Sequence, residues 1–287
     1  MGRDLYQREP AARAVFDQAD NLLGFPLSRL CFDGPKETLT ETVNQQPALF
    51  VTSLAAWAVI RELDEWPAPA YLAGHSLGEF SALTAAGALT FADGLALVRR
   101  RGELMKAAGE ENPGAMAAIL ALDLEQVQAV CRQARERTGR PVQLANDNCP
   151  GQAVISGDEL ALQEAAQLAQ DAGARKVVRL PITIAAHSPL MRAAADNFAQ
   201  TVHNTPIAGA AVPVVANTSA QPMTTPEEIR RELVAQLTGS VRWTESMRFL
   251  RQEGVQSFVE VGPGDVLTSL MKRIDRKAQR MTFELSD

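Results

Sequence analysis

Apolar positions at helical spacing dominate the first hundred residues of the chain. The strongest run, "PALFVTSLAAWAVI", predicts a buried helix; Thr52 and Ser53 interrupt it, and it is too short to cross a bilayer. A short strand-like stretch, "AYLAG", breaks the helical pattern, which makes this part of the chain α/β. From Pro113 and Gly114 the pattern changes. "AMAAIL" predicts a strand, "DLEQVQAVCRQARERTG" a helix, "VQLAND" and "QAVISG" two strands about a Pro150-Gly151 turn, "DELALQEAAQLAQDAG" a helix and "RKVVRL" a strand. That order, βαββαβ, is the split βαβ, ferredoxin-like unit. After Pro181 helices return, with "VPVVAN" and "SFVEVG" as strands and "VLTSLMKRI" as a closing helix. The economical architecture is an α/β domain made from residues 1–112 and 183–287, carrying a ferredoxin-like small domain at 113–182. Ligands favour clefts between such units.

Composition narrows the classes. At 287 residues, 46% hydrophobic and 22% charged, the chain can bury a sizeable core and is not disordered. The 28 basic and 34 acidic side chains leave a net charge of −6, which argues against a general nucleic-acid binder. The opening "MGRDLYQREP" has no apolar signal core. Cys31, Cys131 and Cys149 show neither C-x-x-C spacing nor clustering with histidine, so no metal site or disulfide framework is expected. The expectation is a soluble protein of the reducing cytoplasm, without membrane or nucleic-acid partners.

The chemistry concentrates in "AGHSLGEFSAL", residues 73–83, where Ser76 stands at the centre of G-x-S-x-G between a strand-like and a helix-like stretch. The motif alone is common, and a serine in a turn is its plain alternative. A nucleophile elbow needs a preceding strand, a following helix and small residues at both glycine positions, and Gly74 and Gly78 supply them. Free N–H groups at the helix start can stabilise an oxyanion. Of the three histidines, His75 adjoins Ser76 and suits a structural bond behind the elbow, and His203 sits at a helix end. His187 follows the strand-like "PITIAA" and precedes Ser188 and Pro189, an N-cap and first helical residue. The positive helix end favours a neutral imidazole able to take a proton; a buried histidine donating to a carbonyl is the alternative. No aspartate stands out between Ser76 and His187, so a dyad oriented by a backbone carbonyl is expected. In "FADGLALVRRRGELMKAAG" the apolar stripe runs through Phe91, Leu95, Val98 and Met105, and Arg101 falls on its flank. An arginine facing a core needs an anion, either a protein carboxylate or a substrate acid held in a bidentate clamp.

In order along the chain, "GHSLGEFSAL", "LVRRRGELM", "GAMAAIL", "PGQAVISG", "AAHSPLM" and "EVGPGDVL" resemble the malonyl-CoA:acyl carrier protein transacylases and the acyltransferase domains of polyketide synthases. The resemblance runs nearly end to end. It implies an α/β-hydrolase-like large domain with the ferredoxin-like insert, and ping-pong acyl transfer from a coenzyme A thioester to the phosphopantetheine thiol of an acyl carrier protein. By resemblance Ser76 is the nucleophile, His187 its base, Arg101 the clamp on the malonyl carboxylate and the Leu77 N–H an oxyanion donor. It also points to the main-chain carbonyl of Gln236 as the group orienting the histidine; Gln236 lies in the last turn of "PEEIRRELVAQL", where carbonyls lack helical partners. Simple packing of Gln236 is the alternative. Gln46, in "QQPALF", matches a pocket-lining glutamine, with a helix-start role as the alternative.

Two departures stand out. Family members begin with a strand and a G-Q-G loop that gives a second oxyanion donor, and this sequence opens just beyond it; a reading frame starting upstream is the expectation. Ala186 stands where many malonyl-specific domains carry a bulky aromatic, leaving room for a substituted malonyl group, although malonyl remains the preferred substrate. The family picture implies a monomer without cofactor. The cluster Lys272, Arg273, Arg276, Lys277 and Arg280 is either a solvated face or a surface that steers an acidic carrier. Rival readings are an editing hydrolase using the same dyad and a non-catalytic carrier-docking protein.

Overall fold

The computed structural model describes residues 1–63 and 66–283; residues 284–287, which the sequence pattern assigned to the large domain, lie outside the described residues. The apolar run near the start becomes helix Thr42–Ile60, which buries Phe50, Val51, Leu54, Ala55 and Val59. Burying each such side chain removes it from water at a gain of roughly 1.5–3 kcal/mol. Helix Phe91–Glu111 starts at Thr90, whose hydroxyl accepts from the Asp93 N–H. It lies so close to Thr42–Ile60 at Gly102 that a Cβ there would stand 3.0 Å from the Thr42 carbonyl oxygen. That contact sets Arg101 beside Gln46. Phe16, Phe80, Leu83, Leu95 and Phe198 close the same core.

Between these helices runs the strand that carries the serine. Leu72–Ala73 pairs in parallel with Val214–Val215, which pairs antiparallel with Pro222–Met223. These strands are shorter than "AYLAG" and "VPVVAN" imply. The strand expected in "SFVEVG" is Ser257–Glu260; it forms a separate parallel pair with Gln279–Thr282, a stretch the hydrophobic pattern did not mark.

The small unit follows the predicted βαββαβ order. Strands Ala115–Leu120, Val142–Cys149, Gln152–Gly157 and Lys176–Arg179 form one antiparallel sheet with Ala115–Leu120 and Gln152–Gly157 in the middle. Helices Leu124–Thr138 and Glu159–Asp171 enclose its own core, including Val127, Ile155, Leu162 and Ala165. Asp123 and Gln126 make a capping box at the first helix, and Asp158 caps the second. This is the ferredoxin-like fold.

Edge strand Val142–Cys149 bulges at two points and there docks on the large unit. The Val241 N–H donates to the Ala145 carbonyl at 2.8 Å, and the Asp147 N–H to the Val241 carbonyl at 2.9 Å. Gln143, just before the first bulge, and Asn148, at the second, reach the histidines of the large unit. The stretch "PITIAA" is not a strand. Beyond the bond from the Leu180 N–H to Met116, Pro181 has no N–H to extend the ladder; the side chains of residues 181–183 are exposed, and one further bond runs from the Gly114 N–H to the Thr183 carbonyl at 3.3 Å. No helix among the described residues is long and apolar enough to cross a membrane.

Candidate active site

Strand Leu72–Ala73 turns sharply into helix Gly78–Ala85, and Ser76 sits at the apex with φ 51°, left-handed for a residue with a side chain. The two motif glycines prove unequal. A Cβ on Gly74 would stand 2.0 Å from the Gly78 carbonyl group, so only glycine closes the turn, whereas a Cβ on Gly78 would meet nothing. The expectation that both positions are crowded therefore holds for Gly74 alone. Asn217 clips the turn: its side-chain oxygen accepts from the Ser76 N–H at 2.7 Å, and its amide donates to the Gly74 carbonyl at 2.8 Å. The Leu77 N–H, at the start of the helix, donates to no protein acceptor among the described residues.

His187 meets the serine from across the cleft, 111 residues along the chain, and its Nε2 lies 2.8 Å from Ser76 Oγ. Its Nδ1 lies 2.8 Å from the Gln236 carbonyl and 3.1 Å from that of Gly239. Carbonyls only accept, so Nδ1 carries the hydrogen and Nε2 presents its lone pair to the serine hydroxyl. Gln236 ends helix Pro226–Ala235, where such carbonyls are free. Backbone carbonyls hold the ring, and no aspartate among the described residues bonds to it. From the small unit, Gln143 donates to the carbonyls of both His187 and Thr238, each at 2.8 Å, and braces the loop that holds the ring. Burial, then the charge of Arg101, push the imidazole down to about 3, so it is neutral in the resting site. Those two causes replace the helix end that the sequence offered; Ser188 does cap Leu190, but over a single turn, Pro189–Met191.

Arg101 is 2% exposed. Its guanidinium donates to Gln46 Oε1 at 2.6 Å, Gln236 Oε1 at 2.9 Å and Ser76 Oγ at 3.2 Å, and lies over the Phe80 ring. Its Nε has no partner, and no carboxylate among the described residues forms an ion pair with it. Burial brings it to about 10, which leaves it charged at neutral pH. Because Arg101 donates to the serine oxygen, the hydroxyl hydrogen is directed to His187. Of the two anions the sequence allowed, the protein carboxylate is not in place. Gln46 accepts from Arg101 and also donates to Thr42 in the first turn of its helix. Gln236 is more than packed, since its side chain touches Arg101, Ser76 and Glu79.

The remaining residues fall outside this cluster. Ala186 is half-buried against Met116, Ala145 and Val154 of the small unit. His75 points behind the elbow to Asn148 at 2.8 Å and sits edge-on to Trp243. His203 is exposed in the last turn of helix Arg192–Asn204. Glu79, Asn217 and Gln143 were missed. Only Glu79 left a signal, an acid among the apolar neighbours of the elbow helix.

A serine at the apex of a strand–turn–helix, a histidine held by carbonyls and a buried guanidinium lie within hydrogen-bond reach of one another, the parts that acyl transfer through a serine would use. The sequence comparisons connect those parts to a family. Residues 1–284 match the acyl transferase domain model, and the chain belongs to this family. It is 45% identical to a malonyl CoA-acyl carrier protein transacylase of Bacillus subtilis, over 100% of this chain and 89% of the relative. Its counterpart in Escherichia coli K12 is 41% identical, over 96% and 88%. Among solved structures, a malonyl-transacylase in complex with a type II polyketide synthase acyl-carrier protein superposes with a TM-score of 0.95 at 38% identity, covering 99% of this chain and 91% of the other. The malonyl CoA-acyl carrier protein transacylase of Coxiella burnetii does so with a TM-score of 0.95 at 36% identity, covering 98% and 88%.

Proposed function

We propose that the protein moves a malonyl group from malonyl-CoA to the phosphopantetheine thiol of an acyl carrier protein through an acyl-enzyme on Ser76. One observation carries this reading: a buried, charged guanidinium with no carboxylate partner lies 3.2 Å from a serine oxygen that is itself 2.8 Å from a neutral histidine. A site so built accepts an acyl group that brings its own acid. Ser76 Oγ attacks the thioester carbonyl while its proton passes to His187 Nε2. The carbonyl oxygen becomes an oxyanion facing the Leu77 N–H. As the tetrahedral adduct collapses, the C–S bond breaks and the departing thiolate takes the proton from His187. The second half runs in reverse, with the carrier's thiol giving its proton to His187 and attacking the Ser76 ester.

Arg101 has a double effect. It grips the distal carboxylate, and until that carboxylate arrives its charge keeps His187 a weak base. An anionic acyl group that pairs with Arg101 would lift part of that depression, the part owed to the charge, while the larger part, owed to burial, stays.

The reaction as drawn needs no metal or cofactor beyond the carrier's own arm, and neither membrane nor nucleic acid takes part. Three buried, unpaired cysteines suit a monomer in a reducing cytoplasm. Lys272, Arg273, Arg276 and Lys277 are exposed beside an open depression of about 660 Å³, which suits an acidic carrier. Intact-mass measurement tests the core of the proposal. Malonyl-CoA is expected to add one malonyl group to the protein, carrier protein to remove it, and Ser76→Ala to abolish the adduct. An adduct that survives in Ser76→Ala, or one discharged to water as fast as to carrier, overturns it.

A further inference from the structure

Glu79 is 0% exposed and makes no direct ion pair among the described residues, an expensive way to place an acid. Each of its oxygens is engaged. Oε1 accepts from the Asn217 backbone N–H at 2.8 Å and from the Asn217 side-chain amide at 3.0 Å, and Oε2 accepts from the Gln236 side-chain amide. Both partners are themselves tied to the nucleophile. Asn217 holds the Ser76 N–H, and Gln236 Nε2 donates to the Ser76 carbonyl at 3.0 Å. A primary amide can be turned over with little steric change, so what decides the orientation of Gln236 is the chemistry around it. As found, its NH2 faces two acceptors, Glu79 and Ser76, and its oxygen faces a donor, Arg101. Turned over, it would set NH2 against the guanidinium and oxygen against oxygen.

We infer that Glu79 is a positioning residue for acyl transfer, its carboxyl group holding the Gln236 amide in the orientation that presents an acceptor to Arg101 and thereby keeps the guanidinium aligned for an acidic acyl group. The inference rests on the role proposed above for Arg101. Glu79 sits on the helix that begins at the elbow, Gln236 ends the helix whose carbonyl holds His187, and Arg101 comes from a third; one buried carboxyl thus registers three elements. Glu232, the other buried acid nearby, is committed to the Thr218 N–H and hydroxyl and does not substitute for it.

Glu79→Gln separates positioning from packing, because it keeps the shape. Its oxygen must face the two Asn217 donors, which leaves its NH2 opposite that of Gln236 and forces Gln236 over. Malonyl-CoA and acetyl-CoA acylation of Ser76 are compared by quenched-flow intact mass. The ratio of kcat/KM for malonyl to that for acetyl is expected to fall by about tenfold or more, the size of one disrupted charge-assisted hydrogen bond. In a Gln236→Leu background the same change is expected to leave the ratio where Gln236→Leu alone puts it. A merely structural role would lower both rates together, and an unchanged ratio overturns the inference. Should Glu79→Gln not fold, Gln236→Leu alone reads the same arm, and a ratio equal to wild type overturns it. A wild-type enzyme that forms no malonyl adduct refutes the underlying assignment instead, so the two failures are distinguishable.

Discussion

Replacing Arg101 by alanine removes a guanidinium that is 2% exposed and forms no direct ion pair with a carboxylate among the described residues. The malonyl carboxylate then enters a water-poor site with its charge unmatched. Truncating one partner of a buried, hydrogen-bonded charge pair costs about 2–5 kcal/mol. At 1.4 kcal/mol per decade, kcat/KM for malonyl-CoA should fall by roughly 30-fold to several thousandfold. Acetyl-CoA has no carboxylate to lose, so its acylation should change only by the few-fold that follows from the lost contact to Ser76 Oγ. The same change alters the base. Arg101 lowers the affinity of His187 for a proton, so its removal favours imidazolium, and the His187 value rises from about 3 toward its ordinary range. Activity requires the neutral ring. The acid limb of kcat/KM for acetyl-CoA should therefore lie well below pH 6 in the parent and move upward in Arg101→Ala. Single-turnover acylation across pH, read by intact mass with both thioesters, measures both effects. Equal loss for the two substrates, with an unmoved acid limb, would refute the clamp and the electrostatic link to the histidine together.

The unequal glycines of the elbow make a second test. Gly74→Ala forces a Cβ within 2.0 Å of the Gly78 backbone and should cost at least the upper end of the roughly 1–3 kcal/mol of an overpacked site. Gly78→Ala meets open space at the first helical residue and should be neutral or stabilising by up to about 1 kcal/mol, and thermal melts of the two variants check the contrast. Gln143→Ala strips the carbonyls of His187 and Thr238 of a shared donor, for an expected loss of about 1–3 kcal/mol and slower transfer with an unchanged acid limb. If stability and rate both stay at parent values, the small unit does not brace the histidine loop.

Much of the fold was legible because it rests on local chemistry. The short apolar runs in "AMAAIL" and "QAVISG", the Pro150-Gly151 turn between strands, and the helical spacing around Val98 each act within a few residues, and each element forms where the pattern puts it. Where pairing depends on a distant partner, pattern failed. "PITIAA" has the composition of a strand, but Pro181 lacks the N–H that would extend the ladder, whereas Gln279–Thr282 becomes a strand because Ser257–Glu260 pairs with it.

The site divides along the same line. A sequence determines which side chains can attack, accept a proton or carry a permanent charge, and Ser76, His187 and Arg101 were visible on those grounds. Only the tertiary structure decides which anion faces a buried arginine, and it leaves Arg101 with amides in place of a carboxylate. Asn217 and Gln143 are ordinary amides in the chain and acquire their roles from partners that lie 141 and 44 residues away. A hydrogen bond is specified by distance and direction at its two ends, and for ends so far apart in the chain those quantities exist only once the backbone has closed around them.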